Sequence, residues 1–109
     1  MNLIELKTIL EATGFPVAYF KFVETENEPL PQPPFIVYLS VFSSNFMADD
    51  QVHKEIDNVQ IELYTDKKDI DAETKVAEVL KANSIPFQTT ETFIESEGMF
   101  QKIYEVRLL

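Results

Sequence analysis

The sequence contains no cysteine, one histidine and only two glycines among 109 residues. The absence of cysteine excludes a disulfide scaffold, a thiolate zinc site and a cysteine nucleophile. Two glycines, Gly14 and Gly98, are too few for a glycine-rich loop that cradles phosphates. No run approaches the roughly 18 apolar residues of a membrane span, and the first residues are acidic and amphipathic, unlike a leader peptide. We therefore expect the protein to stay in the cytoplasm in which it is made.

Basic residues are also scarce, since nine lysines and arginines stand against nineteen acidic residues. The net charge of -10 repels a phosphate backbone and an anionic lipid surface, so we predict no membrane partner and no nucleic-acid binding through overall charge. With 45% hydrophobic residues, the chain is long enough for one hydrophobic core. We predict a single domain over residues 1–109, with an exposed proline-rich loop at 23–34.

Apolar residues recur at helical spacing in two segments. The first segment predicts a helix over about residues 2–13, which Gly14 ends. The second segment predicts a helix that reaches about Ala82. Asp69 or Asp71 is its expected N-cap, because a carboxylate there accepts hydrogen bonds from free backbone N–H groups.

Strand patterns flank these two helices. The run from Phe35 to Phe42 is apolar at nearly every position, which favours a central strand, and residues 59–64 alternate between apolar and polar. Residues 43–51 are predicted to be a polar loop between these strands. The predicted order is α-β-β-β-α-β-β, an α+β fold with a mainly antiparallel sheet of four to five strands packed against two helices. The strands are predicted, in chain order, at 16–22, at 35–42, from about Val52 or His53 to Thr65, at 87–95 and at 100–109. A hairpin turn at Glu97 and Gly98 is predicted to join the last two strands.

Nine phenylalanines and four tyrosines exceed what a modest core must bury, so we expect some of them to face partners. Tyr38 and Tyr64 lie on the less obviously buried faces of their predicted strands. Phe46 and Met47 form an apolar pair in the predicted loop, which would be exposed unless a partner covered it. Burial in the core remains an equal alternative for these side chains. The acidic candidates for an interface are Glu24, Glu26 and Glu28, for which a simple solvated surface is the alternative.

Side chains suited to catalysis do not form a recognisable set. His53 is surrounded by carboxylates, but a metal site or a general base would need further ligands or partners, so we expect an exposed histidine. The acidic residues between Asp66 and Glu73 lack the central glycine of a calcium-binding loop. The serines have no nucleophile-elbow context. We predict no catalytic residue, no metal, no cofactor and no enzymatic activity.

The second half of the chain carries a pattern that resembles small tail proteins of siphophages and prophages from low-GC Gram-positive bacteria. These proteins are the minor tail, tail-completion and tail-terminator group at the head-to-tail junction. The resemblance covers about residues 35–109, and its most specific part is Leu-Tyr-Thr-Asp-Lys-Lys-Asp at 63–69. Its segments are Val59–Asp69, then Glu73 and a helix, Ile85–Phe87, Glu91–Glu97 and Phe100–Val106.

The resemblance implies an α+β protein that assembles as a ring, commonly a hexamer, on the end of the tail tube. Such a ring stops polymerisation of the tube and presents a surface to the head connector. The implied partners are other copies of the chain, the tail tube protein and the connector or neck proteins, while DNA passes through the lumen without specific binding. The implied location is the host cytoplasm during assembly and then the virion. Families of this group have no catalytic motif to carry over.

Two other function classes remain open. The charge of -10 would also suit a small acidic inhibitor that binds a basic partner, such as an immunity protein or a DNA-mimicking anti-restriction protein. A metal-dependent enzyme built around His53 is the third class.

Overall fold

A computed structural model describes residues 1–48 and 51–108, with side chains described for 1–42 and 56–108. Within these residues the chain forms two helices and a five-stranded, mostly antiparallel sheet, which confirms the predicted α+β class and element order. The elements are α1 (Leu3–Glu11), β1 (Val17–Tyr19), β2 (Phe35–Ala48), β3 (Gln51–Thr65), α2 (Ile70–Ala82), β4 (Phe87–Ile94) and β5 (Met99–Leu108).

The strands lie in the order β1-β2-β3-β5-β4. Only β1 and β2 are parallel, and every other neighbouring pair is antiparallel. β5 therefore lies between β3 and β4, although it follows β4 in the sequence. The β4–β5 hairpin turns at Gly98, whose φ of +62° is a conformation that glycine adopts without a steric penalty, as the sequence predicted.

Both helices cover the same face of the sheet, which we call the helix face. α1 contributes Leu6 and Leu10, and α2 contributes Ala72, Val76 and Leu80. Alternate strand residues complete this core because successive side chains in a strand point to opposite faces. The strand members of the core are Ile36, Tyr38, Val59, Ile61, Leu63, Tyr104, Val106 and Leu108.

Side-chain caps set the beginnings of both helices. The Asn2 side chain accepts a hydrogen bond from the Glu5 N–H at 2.9 Å, and the Asp69 side chain accepts one from the Ala72 N–H at 3.0 Å. Asp69, rather than Asp71, is thus the N-cap of α2. α1 ends earlier than predicted, at residue 11.

Replacing Asp69 with alanine is expected to lower the free energy of unfolding by about 1 kcal/mol, because the Ala72 N–H loses its acceptor. Urea unfolding followed by circular dichroism measures this loss. Asp71→Ala is the matched control, since that residue lies in the first turn without being the cap and should cost only a few tenths of a kcal/mol. Equal losses in the two variants would contradict the assignment of the cap.

The prediction of a loop at residues 43–51 is wrong. β2 continues to Ala48 and β3 begins at Gln51, so most of that segment is strand, while residues 49 and 50 lie outside the described part. The two strands pair with each other through the backbone groups on their facing edges, so this segment is extended without an apolar face against the core. A register shift between Ser40 and Phe42 places Val41 in a bulge of β2.

β1 is also shorter than the predicted strand at 16–22, because the backbone turns sharply at Phe20. The φ of Phe20 is +70°, and the Lys21 N–H donates to the Tyr19 carbonyl at 2.8 Å. These features describe a classic γ-turn, which is rare and strained for a bulky residue. The third predicted strand, from about Val52 or His53 to Thr65, matches β3 closely.

Candidate interface

The far part of the β2–β3 hairpin projects beyond the sheet. β1 pairs with β2 only as far as Tyr38, and β5 pairs with β3 only from Asp57 onward. Residues 44–48 and 51–56, which we call the arm, are therefore paired only with each other among the described residues. A two-stranded ribbon of this kind presents unpaired backbone N–H and C=O groups along both of its edges.

The arm contains the predicted interface pair Phe46 and Met47. In the strand register Phe46 is paired with Lys54, and Met47 is paired with Val52. The two residues lie in strand β2 rather than in the predicted loop, and their contact with a partner stays a prediction. Their side chains and that of His53 lie outside the described part of the structure.

Tyr38 is not available to a partner, contrary to the sequence-based expectation. Its side chain is only 5% exposed and belongs to the core, because it lies on the same face of β2 as Ile36. Burial raises its pKa, with a further contribution from the nearby charge of Glu11. The neighbouring Tyr19 is the exposed tyrosine, 48% accessible, and its ring packs edge-on against Tyr38 at a centroid distance of 5.1 Å.

Tyr64 lies on the opposite face of the sheet, which we call the outer face, and is half-buried. Its ring stacks on Phe35 at 5.1 Å. Its hydroxyl donates to the Glu62 carboxylate at 2.7 Å and accepts from the Gln101 amide at 2.9 Å. Burial and the Glu62 carboxylate raise the pKa of Tyr64 to about 12. The ring edge can contact a partner, but the hydroxyl already has two partners within the chain.

Glu24, Glu26 and Glu28 are exposed and lie in the proline-rich loop between β1 and β2. A small turn orders the middle of this loop, where the Thr25 N–H donates to the Glu28 carbonyl at 2.9 Å. The Glu28 N–H in turn donates to the Thr25 hydroxyl at 3.0 Å. The loop thus presents three carboxylates to solvent and leads into the start of β2, which is the opposite end of that strand from the arm.

An open groove of about 470 Å³ crosses the outer face near the base of the arm. Phe42, Asn58 and Arg107 are paired across β2, β3 and β5 and form one row along it, and Gln88 of β4 lies at its far side. Phe42 is 60% exposed, and Arg107 is the single arginine of the sequence. Neither residue was selected from the sequence. The signal available there was the apolar run from Phe35 to Phe42, which extends beyond the buried part of β2.

The charged residues around the start of α2 form a structural ion-pair network. The Lys68 ammonium is 2.8 Å from a Glu73 carboxylate oxygen and also contacts Glu91 of β4. Lys102 of β5 lies 3.5 Å from Glu73. The hydrogen bond from Lys68 lowers the pKa of Glu91. These contacts join α2, β4 and β5, which explains much of the charge between residues 66 and 73 without a bound ion.

No group of three or more histidine or acidic side chains in the described residues is placed to hold a metal ion. The metal hypothesis from the sequence involves His53 and its acidic neighbours Asp49, Asp50, Glu55 and Asp57, and of these only the Asp57 side chain lies within that part.

The free energy of unfolding is expected to fall as the pH rises from about 10 towards 12. Burial raises the pKa of Tyr104, whose hydroxyl donates to the Glu73 carbonyl at 2.8 Å, and the pKa of Tyr64 is about 12. Both phenols hold their protons more tightly in the folded than in the unfolded chain. Their contribution is therefore complete below about pH 10 and is lost above it.

Urea unfolding at a series of pH values from about 8 to about 11.5 tests this expectation. The double variant Tyr64→Phe, Tyr104→Phe should show a smaller decline than the unmodified chain, because neither position can then ionise. An equal decline in both proteins would count against the two tyrosines as its cause.

None of the helices in the described part is long and apolar enough to cross a membrane. The sequence matches no protein-family model, and a search of curated proteins finds no match.

Proposed function

We propose that this protein is a structural component of a siphophage or prophage tail. It caps the tail tube as a homo-oligomeric ring, ends polymerisation of the tube and forms the surface that joins the tail to the head connector. It acts by surface complementarity rather than catalysis. The observation that carries the proposal is the arm, a β-ribbon that the described chain leaves unpaired on both edges. An extended element of this kind gains its remaining backbone hydrogen bonds from another chain.

A ring also requires two different contact surfaces on each subunit, because its contacts are heterologous. The arm is one candidate surface, and the proline-rich loop is a second, different one. The loop leads into Phe35 at one end of β2, whereas the arm lies beyond Phe42 at the other end. A surface on one copy can therefore meet a different surface on the next copy, as ring closure requires.

The acidity of the chain fits passage of DNA through such a ring. A net charge of -10 per subunit, with the exposed Glu24, Glu26 and Glu28, creates a negative potential around an assembled ring. A negative lumen repels phosphates, so DNA passes without specific binding.

Electron microscopy of lysates tests the proposal, using a phage or prophage in which this reading frame is disabled. Overlong tails indicate a terminator, and DNA-filled heads beside unattached tails indicate a joining protein. Complementation with the intact gene is the control and should restore normal particles. Normal virions from the disabled strain would refute the proposal and favour the inhibitor class, for which a tight, salt-sensitive complex with a basic partner is the expected finding.

A further inference from the structure

We propose that copies of this chain join through their backbones, with β4 of one copy adding to the free edge of β2 in the next, so that one sheet continues from subunit to subunit. This inference rests on the proposed function in that it specifies how the ring would be built. It concerns a second copy of the chain as the partner. Three features of the sheet edges support it.

The first feature is that the β1 edge is protected against pairing. β1 has three residues, follows Pro16 and ends in the strained turn at Phe20. The Phe20 N–H donates to the Tyr38 carbonyl at 2.8 Å, and the Tyr19 hydroxyl accepts from the Ser40 N–H at 3.1 Å. Short strands, proline and turns are the devices by which proteins block edge-to-edge association.

The second feature is that β2 loses this protection immediately afterwards. From Val41 to Ala48 no strand lies beside its outer edge within the described chain. These eight positions contain no charged residue and no proline, although 26% of the whole sequence is charged. An unpaired strand edge that carries neither charge nor proline is a template for pairing with another strand.

The third feature is the state of β4, which forms the opposite edge of the sheet. All residues from Gln88 to Phe93 are exposed, so within the described chain this strand is held mainly by its pairing with β5. It contains no proline and one charged residue, Glu91, which is bound by Lys68. A strand left open on both faces and along one edge has the exposure expected of an element that is covered on assembly.

A second copy fits both edges at once. β4 and the free edge of β2 each offer eight residues, and they lie on opposite sides of the sheet. Head-to-tail pairing therefore uses each edge once per subunit, and closure of the ring leaves neither edge unpaired. Pairing of β4 with β4 across a twofold axis would instead leave the β2 edge free and would stop at a dimer.

Adjacent proline substitutions in β4 provide the first test. Consecutive N–H groups of a strand point to opposite edges. One of the two variants Thr89→Pro and Thr90→Pro therefore removes a hydrogen bond to β5. The other, which we call the outward variant, removes an N–H group that points away from the sheet. Analytical ultracentrifugation of the purified chain should show oligomers. The outward variant should keep the circular dichroism spectrum and associate at least about tenfold more weakly, since it loses an interchain hydrogen bond and introduces a clash.

Disulfide trapping provides a second test that does not depend on how well the proline variants fold. The chain has no cysteine, so the introduced thiols are the only ones in each variant. Thr90→Cys is combined in turn with Phe42→Cys, Ser43→Cys, Ser44→Cys and Asn45→Cys. At least one combination should give a ladder of cross-linked oligomers under oxidation, because neighbouring strands bring cysteines within bonding distance.

The single-cysteine variants are the matched controls and should give no ladder. A dimer from Thr90→Cys alone would show twofold β4 pairing and overturn the proposal. A purified chain that stays monomeric at its highest soluble concentration and yields no ladder would also overturn it.

The same variants separate this inference from the proposed function. If disabling the gene produces tail defects but the outward proline variant restores normal particles, the tail role stands and the edge pairing is wrong. If the purified chain forms the ladder while the disabled strain makes normal virions, the edge pairing stands and the tail role is wrong.

Discussion

Replacing Ile61 with alanine should lower the free energy of unfolding by about 3 to 4 kcal/mol, the largest stability effect that we expect from a single substitution in this chain. Ile61 is fully buried in the central strand β3. It is in register with Tyr38 on β2 and with Tyr104 on β5, both of which are buried. Large rings on either side limit collapse around the deleted carbons, so a cavity should remain.

Urea unfolding measures this change, with an unchanged dependence on denaturant as the sign that only stability has altered. Ile61→Val removes one methylene group and should cost about 1 kcal/mol. Ile103→Ala on the outer face is a second control, because Ile103 is half-buried and lies opposite the helices. A loss at Ile61 no greater than that at Ile103 would show that the core is not centred on the helix face.

Substituting Phe46 or Met47 with aspartate should abolish assembly and leave the monomer folded. A charge in this uncharged segment must be desolvated when another chain covers it, which should weaken association by about 100-fold or more. The fold should survive because the hydrophobic cluster among the described side chains is built by the two helices, by Ile85 and by strand residues outside the arm. In Phe46→Asp the new charge is in register with Lys54, and opposite charges at paired positions favour strand pairing.

Complementation of the disabled phage or prophage, scored by counting intact particles, measures the effect of these variants. Circular dichroism and urea unfolding of the purified variants establish that they fold. Thr74→Asp makes the same change of charge at an exposed position of α2 and should complement normally. Normal incorporation of the Phe46 and Met47 variants into particles would rule out the arm as a contact surface.

Local chemistry accounts for the parts of the fold that the sequence predicts well. The N-cap at Asp69, the turn at Gly98 and the apolar spacing of both helices depend on neighbours within a few residues. The order of elements follows from these signals and is confirmed. The arm is different, because strands that pair only with each other need no buried face and so show no alternation of apolar and polar residues.

Whether a candidate interface residue is exposed depends on contacts with residues distant in sequence, so the sequence alone does not predict it. The run from Phe35 to Phe42 is apolar on both faces, so it does not indicate which face the helices cover. Tyr38 is buried because it shares the helix face with the core, while Phe42 is exposed beyond the bulge. Tyr64 is half-buried through Phe35, a residue of the neighbouring strand. In each case exposure depends on whether the side chain points towards the helices or away from them. Only tertiary packing determines which face of a strand the helices cover.

The insertion of β5 between β3 and β4 has a consequence for the order of folding. Both hairpins join strands that are adjacent in sequence, so each can form quickly by closing a short loop. Joining them requires pairs such as Asp57 with Leu108, which close a much longer loop at a greater entropic cost. We expect docking of β5 onto β3 to limit the folding rate, and substitutions along that seam to slow folding more than substitutions in the arm.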